Sequence, residues 1–336
     1  MFPNKRSILW LAFVLAVGTA LAACQPVVNP APDNAVVVVE NDAANTAENQ
    51  DAPEEEAPAT IDVVDGLGRT VTLAAPAQSV ISLAPSNTEI LHAIGALDQI
   101  VARDDFANFP ESVLELPSVG GSFGELNTEL ILSLAPDLVL AADITTPEQV
   151  SELEGLGLVV FMVPNPLSLD DLYENMRVVA ELTGQLDGVE AIILDLQAQV
   201  AAVQAALADV EERPLVFYEL DATDPNAPWT AGEGTFIDTL ITMAGGQNLG
   251  GAFSDPWVQV SAEELIAQNP DIILLGDAIW GVTVESVGER AGWEGIAAVA
   301  NEHIYPFDDD LVSRPGPRMI QGLQQLAELL HPDQFE

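Results

Sequence analysis

Positive charge is almost missing from this chain. Its 336 residues hold 9 Lys and Arg against 53 Asp and Glu, for a formal net charge of −44, and Lys5 is the one lysine. Nucleic-acid binding needs clustered cations to displace phosphate counterions, so that class is excluded. Cys24 is the one cysteine, which rules out an internal disulfide and a cysteine-ligated zinc site. His92, His303 and His331 are the only histidines, too few and too scattered for a multi-histidine metal centre. After residue 23 no stretch stays apolar for 18 residues. The common catalytic signatures are also missing: there is no G-x-S-x-G elbow, P-loop, H-E-x-x-H or dinucleotide fingerprint opening a helix. The acidity does not signify disorder, because 49% of residues are hydrophobic, enough for sizeable cores in about two domains.

What is present begins with an address. Lys5 and Arg6 precede an apolar run from Ile8 to Ala23, and Leu21-Ala22-Ala23-Cys24 matches the bacterial lipobox, in which the cysteine is lipidated and becomes the mature N-terminus. Residues 1–23 therefore read as a lipoprotein signal peptide, with Cys24 as the lipidation site and the lipid as the sole membrane anchor. Cleavage would remove two cations and no acids, taking the charge to 7 − 53 = −46. Residues 24–59 follow as an acidic tether. Beyond Cys24 they carry five prolines, eight acids, no cation and no aromatic residue, and cannot bury enough apolar surface to offset the entropy of ordering. A flexible coil of that length has ends roughly 30–35 Å apart.

From Thr60 onward apolar strands alternate with helical patterns, which predicts an α/β fold with mainly parallel sheets. Ile61–Val64 and Thr70–Leu73 flank Asp65-Gly66-Leu67-Gly68 as a hairpin, and a helix over 87–94 has Ser86 and Glu89 in capping-box spacing. Val189–Val210 has no Gly or Pro and is rich in Ala, Leu and Gln, which predicts one long helix near the middle of the folded region. It divides the chain into lobes over 60–186 and 213–336, with a connecting helix over 187–212; a single continuous sheet is the alternative.

An internal repeat favours two lobes. Asn127 through Leu140 aligns without gaps with Ser261 through Leu274, placing Glu129 on Glu263, Pro136 on Pro270, Asp137 on Asp271 and Leu140 on Leu274. Each copy is a cap residue, a first-turn glutamate, a short helix, Pro-Asp and a buried strand. By residue type alone the two glutamates complement helix dipoles or serve a shared function, and the pattern leaves both open. Asp308-Asp309-Asp310 reads as a solvated turn, and His92 as a packed or capping residue. Aromatic residues then gather in segments after strands: Phe106, Phe109, Phe123 in the loop Gly120–Gly124, Trp229 and Trp257. Ligands of open α/β sheets bind beyond the carboxyl ends of strands, and aromatic faces there suit a bulky, partly apolar ligand.

Several stretches resemble the class III substrate-binding proteins of ABC importers, which carry vitamin B12, ferric siderophores and haem. These are Ser79 through Leu91, Phe109-Pro110, Val119-Gly-Gly, Asn127 through Leu140, Trp229-Thr-Ala-Gly232, Trp257 through Glu263, Gly292-Trp293 and Ser313-Arg-Pro-Gly-Pro-Arg318. The resemblance spans residues 60–335. It implies two Rossmann-like lobes joined by a single long rigid α-helix, a ligand cleft between them, no enzymatic activity and no resident cofactor or metal. It also implies that Glu129 and Glu263 dock on the two permease subunits. Within the family the chain is most similar to cobalamin binders: Phe106, Phe123, Trp229 and Trp257 match their aromatic pocket positions and Arg314 a cleft arginine. A further aromatic after the Pro-Asp-Leu-Val strand is replaced here by Ala142-Asp143. The expected ligand is cobalamin or another corrinoid, with a ferric siderophore or haem as the alternative within the class. A surface adhesion or sensory lipoprotein is the alternative outside it. The expected state is an exported monomer held at the outer face of the cell membrane.

Overall fold

A computed structural model describes residues 60–121 and 124–335. The signal, Cys24, the tether and Phe123 lie outside the described residues. The first hairpin is β1 (Ile61–Val64) paired antiparallel with β2 (Thr70–Leu73), Ile61 opposite Leu73. Its turn is tied by the Asp65 carboxylate, which accepts the Leu67 and Arg69 N–H groups at 3.0 and 2.9 Å and the Arg69 guanidinium. The predicted strand ends hold here because the alternation of buried Val63, Val71 and Leu73 with exposed neighbours has one register only.

The first lobe continues through β3 (Val80–Ser82), α1 (Pro85–Ala93), β4 (Ile100–Arg103), α2 (Thr128–Leu134), β5 (Leu138–Ala141), α3 (Pro147–Gly155), β6 (Val160–Met162) and α4 (Leu169–Thr183). Its four strands are parallel in the order β4-β3-β5-β6. Helix α5 (Leu186–Ala206) leads into β7 (Leu215–Glu219), β8 (Trp229–Ala231), α6 (Phe236–Met243), β9 (Gln247–Asn248), β10 (Trp257–Gln259) and α7 (Ala262–Gln268). The chain closes with β11 (Ile272–Leu275), α8 (Val284–Gly288), α9 (Ala297–Ala300), β12 (Ile304–Pro306) and α10 (Met319–Leu330). The second sheet is also parallel, in the order β12-β11-β7-β9.

Counted from the start of each lobe, and setting aside the β1–β2 hairpin and the β8–β10 pair, the first sheet runs second, first, third, fourth strand, and the second runs fourth, third, first, second. Each is covered on both faces, so alternate residues of one strand enter different cores. Leu138 and Leu140 pack with α4 residues on one side, while Val139 and Ala141 pack with Ile131 and Val150 on the other. Ile272 and Leu274 join α10, while Ile273 and Leu275 join Trp293 and Leu265. This two-faced burial is why the strands read as continuous apolar runs.

The repeat survives in the backbone. Asn127 and Ser261 each accept an N–H of the first turn they cap, at 3.0 and 3.2 Å. Both helices then end on a left-handed non-glycine residue, Ala135 at φ 46° and Asn269 at φ 55°. The aspartate two residues beyond clamps the start of the first strand of its parallel sheet: Asp137 accepts the Gln78 and Ser79 N–H groups, and Asp271 that of Leu215.

Helix α5 becomes regular at Val189, the expected start, and departs from expectation at its far end. It breaks at Asp187 and Gly188, where the backbone is non-helical, and stops at Ala206 rather than Val210. By length and composition it could cross a membrane. Its residues have other contacts, however: Val189 and Ile193 are buried in the first lobe, and Val200 and Val203 in the second.

Candidate ligand site between the lobes

Parallel strands bring all their carboxyl ends to one edge of the sheet. Here the two such edges face each other, because the loop after β4 meets the loop after β12. Asn108 Nδ2 donates to Asp310 at 3.0 Å. Arg314 donates to Asn108 Oδ1 at 2.6 Å, to the Phe106 carbonyl at 3.2 Å and to Asp310 at 2.5 Å. Arg314 thus ties the backbone beside Phe106 to the opposite lobe. From within the first lobe, the buried Asp104 accepts the Phe106 N–H at 2.8 Å. Burial pushes that carboxyl up to about 6.

Glu89 does not form the capping box its spacing suggested. The helix begins at Pro85 on Ala84, without a side-chain cap, and Glu89 is 2% exposed. Its Oε1 lies 3.1 Å from Arg318 and 3.7 Å from Arg314, both from the second lobe. Burial outweighs both cations and raises Glu89 to about 7. A Cβ on Gly316 would lie 3.1 Å from Glu89 Oε2, so a larger residue there would crowd the carboxylate. Arg318 also stacks over Phe109 at 4.3 Å, and His92 meets the same ring edge-on at 5.5 Å, the packed role expected of it. A pocket of about 230 Å³ lies beside these groups, reaching Leu196 and Gln199 of α5.

Four large aromatic side chains among the described residues stay exposed: Phe106 at 43%, Trp229 at 40%, Trp257 at 45% and Trp280 at 77%. The first three are among the five the sequence singled out, but the tryptophans sit in strands rather than loops. β8 and β10 form an antiparallel ribbon with Trp257 opposite Ala231 and Gln259 opposite Trp229. Residues two apart share a face, so both indoles project from one side while Thr230, fully buried, points to the other. The sequence concealed this ribbon because it depends on close backbone approach at glycine. A Cβ on Gly232 would meet the Asp255 carbonyl at 1.9 Å, and one on Gly250 the Ala231 carbonyl at 2.0 Å. Glycine does similar work beside Phe106, where a Cβ on Gly121 would lie 3.3 Å from the ring.

Glu129 and Glu263 occupy equivalent first turns and are not buried. Each helix runs back from the carboxyl edge of its sheet, which puts both glutamates near the rim of the cleft. The three aspartates over 308–310 are not a plain solvated turn. Asp309 accepts the Tyr218 hydroxyl at 2.7 Å and bonds Ser313, while Asp310 holds Arg314 and Asn108. Partners distant in sequence explain what composition could not show. Among the described residues no group of three His, Cys, Asp or Glu is placed to hold a metal ion. Sequence patterns did not single out Glu89, Arg318 or Trp280 as site residues; the last stands six residues past Leu274, where the strand-end rule could have found it.

Residues 80–311 match the model of the periplasmic binding protein family. The chain belongs to this family. It is 31% identical, over 99% of both chains, to an uncharacterized ABC transporter substrate-binding lipoprotein of Bacillus subtilis. It is 26% identical to a cobalamin-binding protein of Halobacterium salinarum, over 80% of this chain and 73% of that one. Among solved structures it is similar to the periplasmic haem-binding protein RhuT of Roseiflexus in its apo form. That match has a TM-score of 0.69 and 28% identity, and covers 76% of this chain and 99% of the other. As a member of this family the chain is an exported substrate-binding protein of an ABC importer, not an enzyme.

Proposed function

We propose that this protein is lipid-anchored through Cys24 and captures a corrinoid, cobalamin in the first instance, for delivery to its importer. The observation that carries the reading is the exposed aromatic set at the facing strand ends: Phe106 from one lobe, with Trp229 and Trp257 on one face of the ribbon in the other. Such rings cover the apolar faces of a large ligand at low entropic cost. Phe123, two residues past Gly121 in the sequence, is assigned to the same set by the resemblance to cobalamin binders. Arg314 serves the site by fixing Phe106 and Asn108 across the lobes. The choice of corrinoid over haem rests on the loops after the strands, 104–109, 142–146, 220–228, 249–256, 276–283 and 307–318, which contain no His or Tyr to ligate iron. The choice over a ferric siderophore rests on cations: Arg314 and Arg318 are both engaged by carboxylates of the protein itself. Glu129 and Glu263 guide docking on the permease, and α5, packed into both lobes, limits their closure.

Calorimetric titration of the purified protein with cyanocobalamin, haemin and a ferric siderophore tests the ligand. Saturation by cyanocobalamin at micromolar concentration is expected; saturation by one of the others with no response to cyanocobalamin would refute the corrinoid.

A further inference from the structure

We infer that Trp280, which no motif or match assigns, is a further wall of the ligand site and supplies from the second lobe the aromatic face that the first lobe lacks. The inference rests on the cleft reading above. Trp280 is the most exposed large apolar residue among those described, and its neighbour Ile279 is 67% exposed. Apolar side chains exposed side by side carry a solvation cost that a soluble domain retains where something covers them.

Position identifies what covers them. Trp280 ends the short 3₁₀ turn Gly276–Trp280 that succeeds β11, and β11 lies between β12 and β7 in the sheet. The turn therefore sits on the carboxyl edge between the loop holding Arg314 and the segment leading to the tryptophan ribbon. Both sides are tied to it. Asp277 accepts the Ala222 N–H at 3.0 Å, and neighbouring Asp221 pairs with Trp229. On the other side the turn packs against Asp309–Leu311, which carries Asp310 of the contact between lobes. Tyr218, whose hydroxyl donates to Asp309, lies so close beneath Gly276 that a Cβ there would sit 2.7 Å from its ring. Trp280 is thus mounted on a braced turn rather than a loose loop. The other three exposed aromatics are all on this pair of facing edges.

The repeat sharpens the assignment. Leu140 corresponds to Leu274, so the segment after β5 that begins Ala142-Asp143 corresponds to the turn that begins Gly276-Asp277, and Thr146 to Trp280. The first lobe has no aromatic residue from Ala142 through Thr146, and the second lobe has Trp280. A broad, flat ligand would rest on Trp280 as well as on the ribbon.

Trp280→Ala, Trp280→Phe and, as a control, Leu194→Ala, an exposed apolar residue of α5, would be titrated with cyanocobalamin by calorimetry. Trp280→Ala is expected to weaken binding about 10-fold, Trp280→Phe less than about 3-fold and the control not at all. Unchanged affinity in both Trp280 variants overturns the inference. So does a Trp280→Ala protein that binds normally but no longer stimulates the reconstituted importer's ATPase, since the indole would then face the permease. If the parent protein takes up haemin or a ferric siderophore instead, the corrinoid reading fails alone and Trp280 is judged by the same ratios on that ligand. If the parent binds none of the three, both fail.

Discussion

The two lobes share a parallel four-stranded sheet, a helix cap, a left-handed helix end and an aspartate clamp, yet they differ wherever they face the cleft. Among the described residues the first lobe offers one exposed aromatic, Phe106, held from below by Asp104 and from across by Arg314. The second lobe adds a ribbon, three exposed tryptophans and two arginines that reach over to Glu89. What recurs is what a doubly covered parallel sheet needs in order to close. What differs at the cleft lies on the carboxyl edge, where loops can vary without disturbing either core.

The lobes should also differ in how they tolerate losing a cation, and this gives the largest expected effect. Glu219 is fully buried and held by Arg290 at 2.5 and 2.8 Å, with Arg290 stacked on Trp293 at 4.5 Å. Arg290→Ala strands that carboxylate and is expected to cost about 3–5 kcal/mol in urea denaturation. In the first lobe Arg69→Ala keeps two backbone N–H donors on Asp65 Oδ1 and should cost less, about 1–3 kcal/mol for the oxygen left bare. Equal losses would show that the lobes are braced alike.

An intermediate effect tests the carboxylate between them. Glu89 titrates near 4.5 in the unfolded chain and near 7 when folded. Between those values the native state keeps a proton that the unfolded chain has released, so this group's contribution falls as pH rises from 4.5 to 7. The loss amounts to at most about 3 kcal/mol. Glu89→Gln does not titrate and should flatten the stability profile across that window; a profile identical to the parent's would show that Glu89 ionises normally.

The smallest effect on stability accompanies the rim glutamates. Glu129→Ala and Glu263→Ala should each cost less than about 1 kcal/mol, the worth of a first-turn carboxylate at an exposed helix end. The double variant should bind ligand as the parent does yet fail to stimulate the importer's ATPase, whereas full stimulation would leave the pair a dipole role only.

Much of the scaffold was legible in the sequence because it repeats and because its strands are buried on both faces. Ile61–Val64, Thr70–Leu73 and the short helices of the repeat, Thr128–Leu134 and Ala262–Gln268, stand where alternation and caps put them. The site was legible in part. Phe106, Trp229 and Trp257 could be named from strand-end position and residue type. The ribbon that presents the tryptophans could not, because three-residue strands carry too little alternation and depend on glycine contacts distant in sequence. Glu89 was misread for a related reason: a local spacing rule fitted, but the deciding partners lie more than two hundred residues away. Arg314, expected in the cleft, directs its hydrogen bonds to Asn108, Phe106 and Asp310 of the protein itself.

The division of α5 between two cores has a consequence for how the molecule comes apart. Neither sheet can lose its covering without pulling Val189 and Ile193, or Val200 and Val203, from the other end of a helix both depend on. Two lobes that look separable on paper should therefore melt in one transition. Either lobe produced alone would keep half a helix with an unclothed face, a fragment suited to aggregation more than to folding.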